Sequence, residues 1–313
     1  MAASLKGRSL LSIADLSRAE VEEVLRVSAE QKSGRVPAEQ LATIARGRNL
    51  AILFDKSSLR TRVGFEVAIN QLGGRGIYLA PADVRLGERE PVKDLARVLG
   101  RMVEAIAARL SSHDYIEELA EYSGVPVINA MSNLEHPCQA LADLLTIQEH
   151  KGKLAGLELA WVGDANNVCN SLLLAAAMFG MRIRIATPAT YEPRAEVLSK
   201  AGELAKASGG KITVWNDPHQ AVAGADVIET DVWVSAGMEE QSRRRRIDFR
   251  DFQVNMALLR EAKPDAIVLH CLPAHRGEEL TDEVMESAQF VAFDEAGNRL
   301  HTQRALLSLI FSS

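Results

Sequence analysis

The chain has 313 residues, 47% of them apolar and 25% charged, with 36 Lys plus Arg against 42 Asp plus Glu and a net charge of −6. At about 150 residues per domain this length points to two domains, and the composition is that of a globular chain with a sizeable core rather than a disordered or fibrous one. The acidic balance argues against a surface built for nucleic acid or membrane, so any anion site must be local.

Three cysteines, Cys138, Cys169 and Cys271, form no CxxC pair. That count argues against a disulfide framework or a zinc ribbon and favours a reducing compartment. The N-terminal "MAASLKGRSLLSIADLS" lacks the apolar segment of a signal peptide, and no window approaches the roughly 20 apolar residues of a membrane span. A cytoplasmic protein is expected.

In chain order, "SRAEVEEVLRVSAEQ" (17–31) reads as a helix capped by a serine. "NLAILF" (49–54), "GIYLA" (76–80), "AIAARL" (105–110) and "VPVINA" (125–130) are short apolar runs of strand character, each followed by a turn signal or a helical pattern. After the first strand, "DKSSLRTRVGFEVAINQLGG" predicts a turn and a helix that ends at Gly73 and Gly74. Exposed N–H groups and the positive end of the helix dipole make such a start an anion site, to which Ser58, Arg60 and Thr61 add donors. Arg60 and Arg62 lie about 200° apart round a helix, so Arg60 is taken as the ligand arginine and Arg62 as a structural partner. A serine-capped helix with two solvated arginines explains this stretch equally well, and it is not a Walker loop.

In "EHPCQALADLL" (135–145), Pro137 fits the first helical position, which makes His136 the cap and puts Gln139 in the first turn. A histidine and an amide there suit a polarised carbonyl oxygen, although an ordinary capping histidine fits too. Cys138 between them reads as buried filler. A domain boundary is expected within residues 140–156.

The strand pattern then repeats at "LELAWVG" (157–163), "RIRIATP" (182–188), "KITVW" (211–215), "ADVIETDV" (225–232), "DAIVLHCL" (265–272) and "QFVAFDE" (289–295), before a closing helix "QRALLSLIF" (303–311). "WVGDANNVCNS" sits where a dinucleotide fingerprint would, but GxGxxG is absent, which disfavours a nicotinamide enzyme. Asn166 and Asn167 there either bind a small carboxylate or cap the helix. The run Arg243 to Arg246, near Asp248 and Asp251, reads as a solvated face rather than a nucleic-acid patch. "LHCLPAHRGEEL" puts His270 and Cys271 at a strand end, with Leu272-Pro273 a candidate cis peptide.

Alternating strands and helices in two runs predict an α/β protein: two doubly wound parallel-sheet domains, with ligands at the carboxyl ends of the strands and an active-site cleft between the domains. The boundaries drawn are 1–148 and 149–313, with the C-terminal helix packing back on the first domain.

Ser58-Leu59-Arg60-Thr61-Arg62, His136-Pro137-Cys138-Gln139, Asp231-Val232-Trp233-Val234-Ser235 and His270-Cys271-Leu272-Pro273 occur in the order and rough spacing of the carbamoyltransferases. Essentially the whole chain, from about Gly7 onward, resembles the ornithine carbamoyltransferase family. HPCQ with HCLP is the specific signal, since aspartate and putrescine carbamoyltransferases carry HPTQ. The family core starts so early that no mitochondrial transit peptide is expected.

The resemblance implies transfer of the carbamoyl group of carbamoyl phosphate to the δ-amine of L-ornithine, giving citrulline and phosphate, in arginine biosynthesis or in the reverse, catabolic direction. It places Ser58, the Leu59 backbone, Arg60 and Thr61 on phosphate, Arg109 between phosphate and carbonyl, His136 and Gln139 on the carbamoyl group, and Arg299 as the last carbamoyl phosphate ligand. Asn167, Asp231, Ser235 and Ala236 match ornithine-binding positions, and Cys271 and Leu272 line the reacting centre. Arg109, His136, Asp231 and Cys271 are the catalytic set. No cofactor and no metal are implied, and the basic unit is a homotrimer with neither a nucleic-acid nor a membrane partner.

Three positions depart from the family pattern. Leu59 replaces a threonine, which matters little if only its N–H is used. Arg85 stands where Gln or His reaches a neighbouring subunit's site. Ala236 replaces the methionine of a Ser-Met-Gly loop that packs on ornithine, which leaves a different amine substrate open. A carbamoyl phosphate-binding protein without turnover and an oxidoreductase with a degenerate nucleotide site are the competing classes; the first has no use for Asp231 and Cys271.

Overall fold

The computed structural model describes residues 5–86, 89–234 and 239–312. The chain forms two compact units, Met1–Leu145 with Gly297–Ser313, and Thr146–Ala296.

The first unit is built on four parallel strands, β1 (Asn49–Phe54), β2 (Arg75–Leu79), β3 (Ala105–Arg109) and β4 (Val127–Met131), in the order β2-β1-β3-β4. Central strands covered on both faces read as unbroken apolar runs, and "LAILF" of β1 is buried throughout. β2, at the edge, keeps every residue at least partly open to solvent. The helix Arg18–Lys32 begins with a reciprocal capping box between Ser17 and Glu20, as its sequence predicts. Helix Leu59–Gln71 turns into β2 through Gly73, whose φ of +83° and close approach to the Ala42 carbonyl leave no room for a Cβ.

Five parallel strands form the second unit: β5 (Glu158–Val162), β6 (Arg182–Ala186), β7 (Lys211–Trp215), β8 (Val227–Thr230) and β9 (Ile267–His270), ordered β7-β6-β5-β8-β9. Helix Asn167–Met178 is buried from Val168 to its end. Trp233, Phe249 and Phe252 anchor an apolar cluster with Val162, Ile228 and Val268 of the sheet. None of the described helices is long and apolar enough to cross a membrane.

One predicted strand is corrected. "QFVAFDE" contributes only an isolated bridge, Phe290 to Val268, and helix Ala292–Phe311 starts within it. Asp294 and Glu295 occupy the first turn of that helix, where carboxylates complement the helix dipole.

Candidate active site

In the first unit the chain runs from β1 outward to β2, then crosses back to β3 and outward to β4. The crossovers diverge between β1 and β3, and in open parallel sheets such a switch point opens a crevice at the strands' carboxyl ends. The predicted anion ligands gather there. Phe54, the last residue of β1, pairs with Arg109, the last of β3, and the Asp55 N–H donates to the Arg109 carbonyl at 3.1 Å. Two helices start beside them, Leu59–Gln71 and Pro137–Lys151.

Thr61 is buried in the first turn of the earlier helix, where its hydroxyl accepts from Ser58 Oγ at 3.1 Å; Ser58 does not cap the helix with its side chain. Arg299 is 4% exposed and donates through one nitrogen to Thr61 Oγ1 (2.9 Å) and through another to Gln139 Oε1 (3.0 Å). The Gln139 amide in turn donates to Asp143 Oδ1 at 2.8 Å. A buried chain, Thr61–Arg299–Gln139–Asp143, thereby ties the two helix starts together. Charge-assisted bonds of this kind are the strong ones, because the guanidinium fork fixes direction as well as charge.

His136 is buried at the start of the Pro137 helix. Burial, then the positive charges of Arg299 and Arg109, hold its pKa well below the ordinary 6.5, so the imidazole is neutral at pH 7. Cys138 is also buried, its Sγ 3.5 Å from the Asn129 carbonyl, and burial pushes its thiol up to about 12. It is inert filler, as expected.

Leu59 is 75% exposed, so only its backbone is suited to a polar ligand. Arg60 is half-buried in the same turn, while Arg62 pairs with Glu66 at 3.0 Å and lies over the Tyr78 ring. Arg62 therefore has the structural partner its sequence position suggested. Arg85 is exposed and has a positive φ of 44°. Asp143 was not singled out in the sequence; its signal was the i+4 spacing from Gln139 on one helix face.

The second unit has its own switch point, between β5 and β8. Asp231 follows β8, Asn166 and Asn167 follow β5, and Cys271 follows β9. Asp231 is 6% exposed; Oδ1 accepts from Cys271 Sγ at 3.1 Å and from the Val232 N–H at 2.8 Å, while Oδ2 accepts from the Asn166 amide at 2.7 Å. Asn166 also caps its helix through Oδ1, so it orients the carboxylate while Asn167 stands half-exposed in the first turn. Burial and the Asp231 carboxylate raise the Cys271 thiol well above 9.0. It stays protonated at neutral pH and donates to Asp231, which excludes a resting thiolate nucleophile.

Leu272-Pro273 is cis, as its sequence suggested, and Leu272 has φ 56°. His270 is fully buried: its Nδ1 accepts the Leu272 N–H at 2.8 Å, so Nε2 carries the proton toward Glu279 Oε1 at 3.2 Å. This histidine braces the turn that carries Cys271. Ser235 and Ala236 lie outside the described residues.

The arginine run needs correcting. Arg244 and Arg246 pair at the surface with Asp248 and Glu278, but Arg245 is 4% exposed and donates to Asp164 and to the Trp233 carbonyl beneath the Tyr191 and Phe249 rings. It ties the segment after Asp231 to the turn after β5.

Residues 8–149 match the family described as aspartate/ornithine carbamoyltransferase, carbamoyl-P binding domain, and residues 155–310 its Asp/Orn binding domain. A protein named ornithine carbamoyltransferase from Methanosarcina acetivorans is 51% identical over 300 residues, 96% of this chain and 98% of that one. Another of that name from Anoxybacillus flavithermus is 48% identical over 97% of this chain and 96% of its own. The structure of ornithine carbamoyltransferase from Pyrococcus furiosus superposes with a TM-score of 0.95 at 46% identity, covering 99% of this chain and 98% of that one. With relatives this similar matched nearly end to end, the chain belongs to the aspartate/ornithine carbamoyltransferase family.

Proposed function

We propose that the protein transfers the carbamoyl group of carbamoyl phosphate to the δ-amine of L-ornithine, releasing L-citrulline and phosphate. The observation that carries this reading is the buried Thr61–Arg299–Gln139 chain beside a neutral His136, a donor array suited to a phosphate and an adjoining carbonyl. The names of the relatives point to the same reaction.

In this reading the N–H groups at Leu59 and its neighbours, with Ser58, Arg60 and Thr61, take the phosphoryl oxygens. Arg109 spans phosphate and carbonyl, and His136 and Gln139 hold the carbamoyl group, with Arg299 setting the orientation of Thr61 and Gln139. A neutral imidazole keeps an N–H to offer the carbonyl oxygen as negative charge builds there, while the arginines face the departing phosphate. Asn167, Asp231, Ser235, Ala236 and Leu272 receive ornithine. The δ-ammonium must lose a proton before it attacks; Asp231, held by Asn166 and by the Cys271 thiol, orients the nitrogen and accepts its hydrogen bond. With the ammonium's proton released to solvent, the neutral amine attacks the carbonyl carbon, the C–O bond to phosphate breaks, and the second proton shed by the attacking nitrogen passes to the departing phosphate, which leaves as the hydrogen phosphate dianion. Holding both reactants in register converts a bimolecular step into an effectively unimolecular one.

A homotrimer in which Arg85 meets a neighbouring subunit's phosphate, a cytoplasmic setting and a place in arginine biosynthesis complete the proposal. It is tested by incubating the purified protein and carbamoyl phosphate with ornithine, acetylornithine, lysine, putrescine or aspartate and assaying ureido product. A clear preference for ornithine is expected. Turnover confined to another amine would move the specificity to the loop that contains Ala236, and no turnover with any amine would leave a binding protein.

A further inference from the structure

The loop after the Cys271 turn carries a second group of ligating side chains that the carbamoyl transfer does not use. His275, Glu278 and Glu279 each offer one ligand atom, an imidazole nitrogen or a carboxylate oxygen, and these atoms lie within 4.8 Å of one another. Glu279 is wholly buried; its Oε1 takes His270 Nε2 (3.2 Å) and the His275 N–H, but its Oε2 is buried with no hydrogen-bond partner among the described residues. Glu278 repeats the pattern: Oε1 accepts from Arg246 at 3.0 Å, and Oε2 is buried with no partner among the described residues.

A buried carboxylate oxygen without a donor is costly, and Glu278 and Glu279 each carry one. His270 offers Glu279 a hydrogen bond but no full charge, since its Nδ1 is an acceptor. A cation at this point would satisfy both oxygens. We propose that His275, Glu278 and Glu279 bind a divalent metal ion of the zinc class. One imidazole and two carboxylates suit that class better than magnesium or calcium, which take oxygen ligands alone.

The site is nearly made. A tetrahedral zinc with bonds of about 2.1 Å sets its ligand atoms about 3.4 Å apart, so the three need to close by little more than an ångström. His275 is exposed and Glu278 half-buried, which lets them move, while Glu279 is fixed by its two hydrogen bonds. Three protein ligands leave a fourth position for water. The ion would lie one residue-to-residue bond from His270, and so would pin the far side of the turn that presents Cys271 and Leu272.

The test is calorimetric titration of Zn²⁺ into metal-free, full-length protein, with three variants. Wild type is expected to bind one ion per chain with micromolar affinity. His275→Ala and Glu278→Gln, both outside the transfer machinery, should each weaken binding about tenfold or more. Cys271→Ser separates this site from the neighbouring Asp231, His270 and Cys271 group, which also offers three ligand atoms; it should leave the titration unchanged. Binding that survives both His275→Ala and Glu278→Gln, binding abolished by Cys271→Ser, or no binding at hundreds of micromolar zinc would each overturn the proposal.

Discussion

Replacing Arg299 with lysine isolates what the guanidinium fork contributes, because charge is kept and geometry is lost. The two nitrogens of Arg299 reach acceptors on different helices, Thr61 Oγ1 at 2.9 Å and Gln139 Oε1 at 3.0 Å. A lysine ammonium on a shorter stem reaches one of them at most. A hydrogen bond from a charged donor contributes about 1.5–3 kcal/mol, and each 1.4 kcal/mol is about tenfold in affinity. Arg299→Lys should therefore raise the KM for carbamoyl phosphate by up to about 10- to 150-fold, with the KM for ornithine little changed. Whatever part of the loss falls on the fold instead appears as a lower Tm, by about 2–4 °C per kcal/mol for a unit of this size. Initial rates with each substrate varied in turn, together with thermal melts, measure both parts. A carbamoyl phosphate KM within twofold of wild type, with Tm unchanged, would refute the role given to the Thr61–Arg299–Gln139 chain.

Stability should fall with acid through His136. Its folded pKa lies well below the unfolded value near 6.5, so below pH 6.5 the unfolded chain binds the extra proton; stability rises with pH through that window and levels off above it, and His113, lowered by burial, acts in the same direction. His136→Asn should remove up to one proton's worth of that slope in urea denaturation between pH 5 and 7. Burial raises all three thiols, Cys138, Cys169 and Cys271, so iodoacetamide should label the native protein at pH 8 far more slowly than the unfolded chain. Fast labelling of Cys271 without substrate would contradict the hydrogen bond it donates to Asp231. Arg245→Met strands the buried Asp164 carboxylate and releases the Trp233 carbonyl; a loss of about 3–5 kcal/mol is expected, with a higher ornithine KM in whatever folded protein remains.

The strands were legible because buried parallel strands are short apolar runs closed by turn residues, and "NLAILF" and "KITVW" coincide with β1 and β7 residue for residue. "QFVAFDE" failed on the same rule: its apolar start makes one bridge, and Asp294 and Glu295, read as the end of a strand, are the first turn of a helix. Chain-local cues also located Ser58, Arg60, His136, Gln139 and Cys271, since each sits at a strand end or a helix start. What they could not supply was the choice among chemically equal neighbours. Nothing local distinguishes Arg245 from Arg244 and Arg246; its burial is decided by Asp164, Tyr191 and Trp233, brought in from other parts of the chain. Asn166 left two readings open, cap or ligand, and the structure gives it two bonds: it caps the helix and it also holds Asp231.

The central claim is a transfer with ornithine as acceptor and phosphate as leaving group. Carbamoyl phosphate labelled with ¹³C at its carbonyl, mixed with ornithine and the purified protein, tests it directly by NMR alongside a phosphate assay. The label is expected at the ureido carbon of citrulline, with one phosphate released for each citrulline formed. Phosphate release without labelled citrulline, or label carried by an amine other than the δ-nitrogen of ornithine, would contradict it.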